Sequence, residues 1–248
     1  QSFALDQEEY HRVALDLLGK RENMFFSAYR VWGYPLILSA VYTIFGTQDT
    51  FWWKVVQAGF DSLTGIFVFL IARELFKNKP AAWFSSSLYI LNPFTSAYVG
   101  VRLTEITAIF FVTAIFYLFL KFMKTKLSLY LVLLATFLGF LPFVRPGYLF
   151  FNLFLMIFLI KKVDSYLHKA TSKIFLVTII SFIFFSFFIF NIARNYFYFK
   201  QAAILTADNL FVRELYVSLF IENADTISFI PREVNWIYQE FSTTKSSD

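Results

Sequence analysis

The sequence predicts an all-α integral membrane protein with about six transmembrane helices, and with interfacial helices in a first loop outside the cytoplasm. Hydrophobic residues make up 58% of the 248 residues, charged residues make up 16%, and the mean hydropathy is +0.60. A soluble domain carries roughly a quarter charged residues, so this composition excludes that class. The 36 phenylalanines and 14 tyrosines suit lipid-facing helices and interfacial belts. The lack of cysteine excludes disulfides and thiolate catalysis.

The apolar runs set the number of spans, because a helix needs about 20 residues to cross the hydrocarbon. Five runs approach that length: Phe51–Ala72, Ala81–Tyr98, Ile106–Leu120, Leu127–Val144 and Ile174–Ala193. A shorter run, Pro146–Ile160, follows Arg145, and we expect a sixth helix to start there because proline is favoured in a first turn. The run Tyr34–Phe45 has only about 12 residues, so we expect it to lie along the membrane interface.

Basic residues collect in the loops that follow alternate spans. Ten of them share one side: Arg73, Lys77, Lys79, Lys121, Lys124, Lys126, Lys161, Lys162, Lys169 and Lys173. The positive-inside rule assigns this side to the cytoplasm. The net charge of +5 is therefore an orientation signal and not a nucleic-acid footprint.

Three regions follow from these spans. We predict an extracytoplasmic loop over residues 1–50, a transmembrane region over 51–193 and an extracytoplasmic segment over 194–248. The chain begins at Gln1 without a methionine or an apolar signal segment, and it ends in a polar tail. We therefore expect it to be a piece of a longer protein.

Acidic residues gather on the predicted outer face. They are Asp6, Glu8, Glu9, Asp16 and Glu22 before the first span, and Glu105 between the second and third. Arg102, Arg145 and Arg194 lie on the same face. A positioned carboxylate can deprotonate a hydroxyl, and arginine can hold a phosphate. The sequence contains no phosphate-binding glycine loop, zinc motif or nucleophile elbow.

The two main acidic candidates also have structural interpretations. Asp6 followed three residues later by Glu9 fits a capping box at a helix start. Thr104 fits a helix N-cap, and Glu105 fits a first-turn acid favoured by the helix dipole. Arg102 would then simply pair with Glu105, three residues later in the chain.

Other charged residues have similar alternatives. Asp61 lies about ten residues into the first span, where an ionisable side chain is a functional candidate by default. We favour the alternative that it hydrogen-bonds to a neighbouring helix. Arg145 and Arg194 would serve as snorkelling anchors if they bind no ligand. His11 and His168 lie on opposite faces of the predicted membrane, so they cannot share a metal ion.

The order of motifs resembles a known family. Three stretches are similar to the first outer loop of the dolichyl-phosphate-mannose mannosyltransferase-like proteins: Asp6…Tyr10…Ala14…Gly19, Arg30-Val-Trp-Gly-Tyr-Pro35 and Phe45-Gly46. These are glycosyltransferases of the GT-C fold, and they include the protein O-mannosyl and aminoarabinose transferases. Three later motifs resemble the family's in the same order: Arg102-Leu-Thr-Glu105, Val144-Arg-Pro146 and Ala193-Arg-Asn-Tyr196. The resemblance covers roughly residues 5–210; Trp32 departs from the family's usual proline, and the segment after Phe211 matches nothing in the family.

The resemblance implies a lipid-linked sugar transferase at the outer face of the plasma (inner) membrane. Such enzymes pass a sugar from a polyprenyl phosphate to a hydroxyl of a lipid, glycan or protein, typically with inversion. By resemblance Asp6 is the general base, and Glu105 is a second acid that shapes the site. The residues expected to bind substrate are Arg102, Arg145, Arg194 and Tyr34. Of these, Arg145 and Arg194 would hold the donor phosphate, because arginine neutralises it without losing a proton. No cofactor is identified with certainty, and a divalent-metal requirement stays open.

Two other functions stay open on the sequence. A transporter or flippase of lipid-linked intermediates predicts functional charges near mid-bilayer and an internal repeat. The sequence offers Asp61 at that depth and no repeat. A non-catalytic membrane assembly subunit would need no acidic cluster at one face.

Overall fold

The computed structural model of the chain is helical, and it describes residues 2–19, 30–166, 170–199 and 202–205. All of them belong to the unit formed by residues 1–208. The helices of these ranges are α1 (Ser2–Leu17), α2 (Gly33–Phe45), α3 (Thr50–Phe76), α4 (Lys79–Ile90), α5 (Pro93–Val99), α6 (Glu105–Thr125), α7 (Ser128–Val144), α8 (Leu149–Tyr166) and α9 (Ala170–Phe199). A 3-10 turn at Pro146–Tyr148 precedes α8. No strand occurs within the described ranges, so the all-α prediction is confirmed for them.

Within the described ranges, four helical segments are long and apolar enough to cross a membrane. They are Thr50–Phe76, Glu105–Thr125, Pro146–Val163 and Ile174–Phe197. Each overlaps one of the predicted spans, and large apolar side chains such as Phe154 and Phe182 are mostly exposed on them. Such surfaces require a lipid environment. The chain is therefore a membrane-embedded helical protein.

The other two predicted spans are not among these four segments, one because its helix is short and the other because it is interrupted. The run Leu127–Val144 forms α7, whose 17 residues extend for about 25 Å. The predicted span Ala81–Tyr98 is interrupted at Leu91 and Asn92, which separate α4 from α5. There the side chain of Asn92 accepts a hydrogen bond from the backbone N–H of Phe94 at 3.0 Å, and Pro93 occupies the first turn. The Asn-Pro pair therefore starts a new helix in the middle of the predicted span.

The long helices place their termini in two separate groups. Near the end of α3, Glu74 Oε1 lies 2.7 Å from Lys121 Nζ, near the end of α6. Near the opposite end of the bundle, Glu105 at the start of α6 lies 3.0 Å from Arg145, which follows α7. We call these the Glu74 end and the Glu105 end. Helix α7 packs on both α6 and α9. The chain is at the Glu105 end at Arg145, between α7 and α8, and it returns to this end where α9 ends.

Helix α2 lies across the Glu105 end. At its first residue, Gly33, an added Cβ would lie 2.5 Å from the carbonyl carbon of Phe143, so the helix start rests on the backbone of α7. At its last residue, Phe45 stacks on Trp52 of α3 with ring centroids 4.1 Å apart. Both contacts involve the Glu105 ends of their partner helices. This position agrees with the expected interfacial helix over residues 34–45, whose placement in a membrane stays a prediction.

A second close helix contact fixes α7 against α9. A Cβ added to Gly139 would lie 2.9 Å from the backbone oxygen of Phe184. Small residues allow such approaches between membrane helices, and van der Waals packing then stabilises the pair. The buried side chains around this contact include Leu138 and Phe143, which are fully enclosed. Helix α7 thus packs against α2, α6, α8 and α9, although it has only 17 residues.

Candidate functional site

One face of α1 carries three side chains that meet Arg30. Asp6, Glu9 and Tyr10 have i, i+3 and i+4 spacing, which places them on the same helical face. Arg30 forms an ion pair with Asp6, and its Nε donates to Glu9 Oε2 at 2.6 Å. The guanidinium carbon lies 5.1 Å from the centre of the Tyr10 ring. Burial alone lowers the pKa of Arg30, but Tyr10, Glu9 and Asp6 outweigh it and raise the pKa above its ordinary value.

The capping-box prediction for Asp6 is wrong. Helix α1 begins at Ser2, so Asp6 lies in its second turn, beyond the backbone N–H groups that a cap satisfies. The residues Phe3 to Leu5 continue the helix in front of it. Asp6 and Glu9 therefore bind Arg30, which is 24 and 21 residues away in the chain.

Tyr10 lies between the two acids that the sequence singled out. It is only 8% exposed, and burial is the main cause that raises its pKa above the ordinary value. Arg30 and the Thr104 hydroxyl oppose the increase, whereas the charges of Asp6 and Glu105 add to it. Asp6 on α1 and Glu105 on α6 thus act on the same phenol from two different segments.

Glu105 forms an ion pair with Arg145, a pairing that the sequence did not predict. Arg145 Nη1 lies 3.0 Å from Glu105 Oε1. Glu105 occupies the first turn of α6 and Thr104 its N-cap position, as predicted, but the Thr104 hydroxyl makes no capping bond. Glu105 Oε2 is buried and has no hydrogen-bond partner among the described residues. An unpaired buried carboxylate oxygen is costly, so the expected partner is a donor on a ligand or an ordered water.

Arg102 does not pair with Glu105. Its guanidinium carbon lies 5.5 Å from the centre of the Trp53 ring. Burial raises the pKa of Tyr42 on α2, and the charge of Arg102 opposes that increase. Its backbone N–H donates to Gln7 Oε1 at 2.9 Å. Arg102 therefore lies between α1, α2 and α3 at the Glu105 end, without joining the ion pair of Glu105 and Arg145.

Tyr34 is buried, in contrast to the expectation that it contacts substrate. Its side chain is 1% exposed, and its hydroxyl donates to Gln57 Oε1 at 3.2 Å. The Tyr34 ring meets the Tyr10 ring edge-on at 5.2 Å. Gln57 Nε2 in turn donates to the backbone oxygens of Val99 and Val101 at 3.0 and 2.8 Å. Tyr34 therefore supports Tyr10 from inside the protein.

Arg194 lies near the end of α9, where its Nη1 donates to Asn195 Oδ1 at 3.1 Å. One turn earlier, Asn191 Oδ1 accepts a hydrogen bond from Trp32 Nε1 at 2.9 Å. This buried bond connects α9 to the segment that carries Arg30. The sequence motif around Arg194 is thus joined to the first-loop motif through Trp32, the residue that departs from the family pattern.

The remaining candidates from the sequence are Asp61, the two histidines and any metal ligands. The hydrogen bond expected for Asp61 is confirmed, because the Tyr89 hydroxyl of α4 donates to Asp61 Oδ1 at 2.6 Å. His11 Nδ1 lies 2.9 Å from the Tyr42 hydroxyl, and His168 falls outside the described residues. Within the described ranges, no three histidine, aspartate or glutamate side chains gather closely enough to hold a metal ion.

Sequence reasoning missed Glu9, Tyr10 and Arg30 as members of the site. The signal for the first two was their helical spacing from Asp6, which places them on one face. Arg30 stood in the quoted motif, but its two acidic partners are too distant in the chain for spacing to reveal. Comparison with protein-family models, curated proteins and solved structures finds no match to the chain. The family resemblance of its motifs therefore stays a prediction.

Proposed function

We propose that this chain forms part of a membrane-embedded glycosyltransferase that moves a sugar from a polyprenyl phosphate to an acceptor hydroxyl. One observation carries the proposal: charged side chains from four segments gather around Tyr10 at one end of the helices. We call the group the Tyr10 cluster, and its charged members are Asp6, Glu9, Arg30, Glu105 and Arg145. The resemblance of the motifs that contain these residues gives separate support.

Asp6 is the proposed general base because it is the most accessible acid of the cluster. Its side chain is 44% exposed, compared with 20% for Glu9 and 28% for Glu105. The acceptor oxygen would bond to the anomeric carbon while its proton passes to the Asp6 carboxylate. The bond from that carbon to the phosphate oxygen would break, and its electron pair would leave with the polyprenyl phosphate. Attack opposite the leaving group inverts the configuration, and Arg30 orients the base.

Arg145 is the proposed ligand of the donor phosphate. Its side chain is 46% exposed, and only one guanidinium nitrogen is used in the pair with Glu105. A guanidinium carries five N–H donors, so others can reach phosphate oxygens. Arg102 and Arg194 are further candidates at the same end of the helices. Glu105 would position Arg145 and offer its unpaired Oε2 to a substrate hydroxyl.

The proposal includes six passes through the membrane, with the Glu105 end outside the cytoplasm. The shorter helix α7 and the interrupted pair α4–α5 would each complete one pass. Basic residues at the Glu74 end support this orientation. Single cysteines at Gln48 and Asn78, both exposed, test it because the chain has no other thiol. We expect an impermeant reagent to label Gln48→Cys in intact cells and to leave Asn78→Cys unlabelled; the reverse result would place the cluster on the wrong side.

The catalytic proposal is tested by Asp6→Asn in the complete protein, with Glu8→Gln as a matched control. Glu8 lies on the same helix and pairs with Arg12 at 3.0 Å, but it points away from the cluster and is 51% exposed. Sugar transfer from a polyprenyl-phosphate donor and the detergent melting temperature are measured for both. We expect Asp6→Asn to lose transfer by about 10²–10⁴-fold and Glu8→Gln to keep it.

Arg30→Lys separates catalysis from ion pairing. It keeps a positive charge opposite Asp6 but cannot bind two carboxylates with a rigid fork. If Asp6 acts only as the partner of Arg30, the activity of Asp6→Asn will follow its melting temperature and match that of Arg30→Lys. A stable Asp6→Asn protein with full transfer would end the case for Asp6 as the base.

The second candidate function is transport of a lipid-linked intermediate. It is favoured by one observation, the Asp61–Tyr89 hydrogen bond within the helices, close to the interruption between α4 and α5. Transporters use interrupted helices and buried polar groups at their binding sites. Movement of a lipid-linked sugar across vesicles without sugar transfer would support this function over the enzyme. An assembly subunit would show neither activity.

A further inference from the structure

A basic cavity opens at the Glu74 end, opposite the Tyr10 cluster. Its volume is about 580 Å³, and its lining residues are Arg73, Glu74, Lys77, Lys79 and Lys124. Four of the five are basic, and Glu74 is the one carboxylate among them. Glu74 Oε2 accepts from Lys124 Nζ at 2.8 Å, which holds that ammonium at the rim. The cavity therefore concentrates positive charge from α3, α4 and α6 in one place.

With the helices in a membrane as proposed, the cavity lies at the level where they leave the hydrocarbon. Helix α3 has 27 residues and is about 40 Å long; Arg73 lies in its last turn, and Lys77 directly follows it. Lys79 opens α4, and Trp83 follows one turn later with 65% of its surface exposed. Exposed tryptophan beside lysine is typical of the interface between lipid tails and headgroups. With the helices in a membrane as proposed, lipid phosphates are the external anions at this level.

Two lysines at this end occupy an unusual backbone conformation. Lys77 and Lys126 have φ angles of 54° and 59°, and they are the non-glycine residues with positive φ within the described ranges. Each directly follows a long helix, at a position that glycine normally fills because it has no Cβ to strain. In both turns the residue is lysine, although glycine would adopt this conformation more easily. Of these two lysines, Lys77 lines the cavity, where its ammonium adds to the positive charge.

We propose that this cavity binds the phosphate headgroup of an anionic membrane lipid. The Arg73 guanidinium can donate to two phosphate oxygens at once, while Lys77 and Lys79 add compact charges beside it. Basic pockets between membrane helices bind such headgroups. The acyl chains would lie along the exposed apolar residues Leu75 and Phe76 at the end of α3. The proposal does not depend on the reaction carried out at the Glu105 end.

The test measures lipid binding by the complete protein purified in a non-ionic detergent. Melting temperature is recorded against added phosphatidylglycerol, phosphatidylcholine and inorganic phosphate. We expect phosphatidylglycerol to raise the melting temperature at lower concentrations than phosphatidylcholine, and inorganic phosphate to have no comparable effect. An equal response to inorganic phosphate would show a simple anion site and overturn the assignment to a lipid.

The variant Lys77→Gly gives the sharpest readout. Glycine adopts the left-handed turn without strain, so the lipid-free protein should melt at the same temperature or higher. Its affinity for phosphatidylglycerol should nevertheless fall by about five-fold for the loss of one charge. Lys161→Ala is the matched control, because Lys161 is an exposed residue near the end of α8 and does not line the cavity. If both variants lose the same affinity, the lipid responds to the general charge of this end and the cavity is not a specific site.

Discussion

Replacing Gly33 with alanine should destabilise the protein through a backbone collision. The added Cβ would lie 2.5 Å from both the carbonyl carbon and the oxygen of Phe143, and 2.8 Å from the nitrogen of Val144. Real Cβ atoms essentially never approach other heavy atoms that closely. All three contacts are backbone atoms of α7, so no side-chain rotation can relieve them. Overpacking of this kind costs about 1–3 kcal/mol, and we expect the upper half of that range.

The control for this prediction is Gly59→Ala. Gly59 lies inside α3, where an added Cβ meets no atom within 4 Å. Alanine is a better helix former than glycine by about 0.5–1 kcal/mol, so this variant should be neutral or stabilised. Melting of both variants in detergent measures the difference. At about 2–4 °C per kcal/mol for a chain of this size, Gly33→Ala should melt several degrees lower. If it melts like Gly59→Ala, α2 does not rest on α7 as described.

Three other substitutions test contacts elsewhere in the helices. Trp32→Phe keeps an aromatic ring but leaves the buried Asn191 oxygen without its indole donor, and we expect detergent melting to show a loss of about 1–3 kcal/mol. Asp61→Ala removes the acceptor of the Tyr89 hydroxyl and should cost about 0.6–1.7 kcal/mol in denaturant unfolding, whereas Asp61→Asn should cost less. Glu74→Gln removes the charge that two lysines share, so its cost of about 1 kcal/mol at low salt should shrink as salt is added. A variant whose stability stays the same as that of the unmodified protein would contradict the contact that it tests.

The sequence predicted the long spans well because lipid imposes a length requirement that composition reveals directly. The limits of α3, α6 and α9 contain the predicted runs. It failed at Asn92-Pro93, since hydropathy averages over a polar cap and a proline when apolar residues surround them. The local signals for a new helix were present in those two residues, but the span prediction gave them no weight.

The site was harder to predict because its contacts join distant parts of the chain. Thr104 and Glu105 were placed correctly at the start of α6, since capping and dipole effects depend on neighbours in sequence. The partner of Glu105 was predicted wrongly, because Arg102 is close to it in sequence whereas Arg145 is close to it in space. Asp6 was misassigned as a cap for the same reason. Its partner, Arg30, becomes visible only when α1 and α2 are packed together.

Stability alone gives a weak account of the Tyr10 cluster. Exposed ion pairs contribute about 0–1 kcal/mol, and both Asp6 and Arg145 are almost half exposed. An arrangement that served only the fold would be expected to satisfy its buried oxygens, yet Glu105 Oε2 has no partner among the described residues. Thr107 Oγ1 and Asn152 Oδ1 are also buried without a partner among the described residues, so the support for the proposed site comes mainly from the exposure of Asp6 and Arg145. The same test applied to the Glu74 pair gives another answer, because there both carboxylate oxygens are bound by lysines and the surplus charge lies in the surrounding basic residues. The two proposals therefore assign different ligands to the two ends: an acceptor hydroxyl and a departing phosphate at the Glu105 end, and a lipid phosphate that stays bound at the Glu74 end.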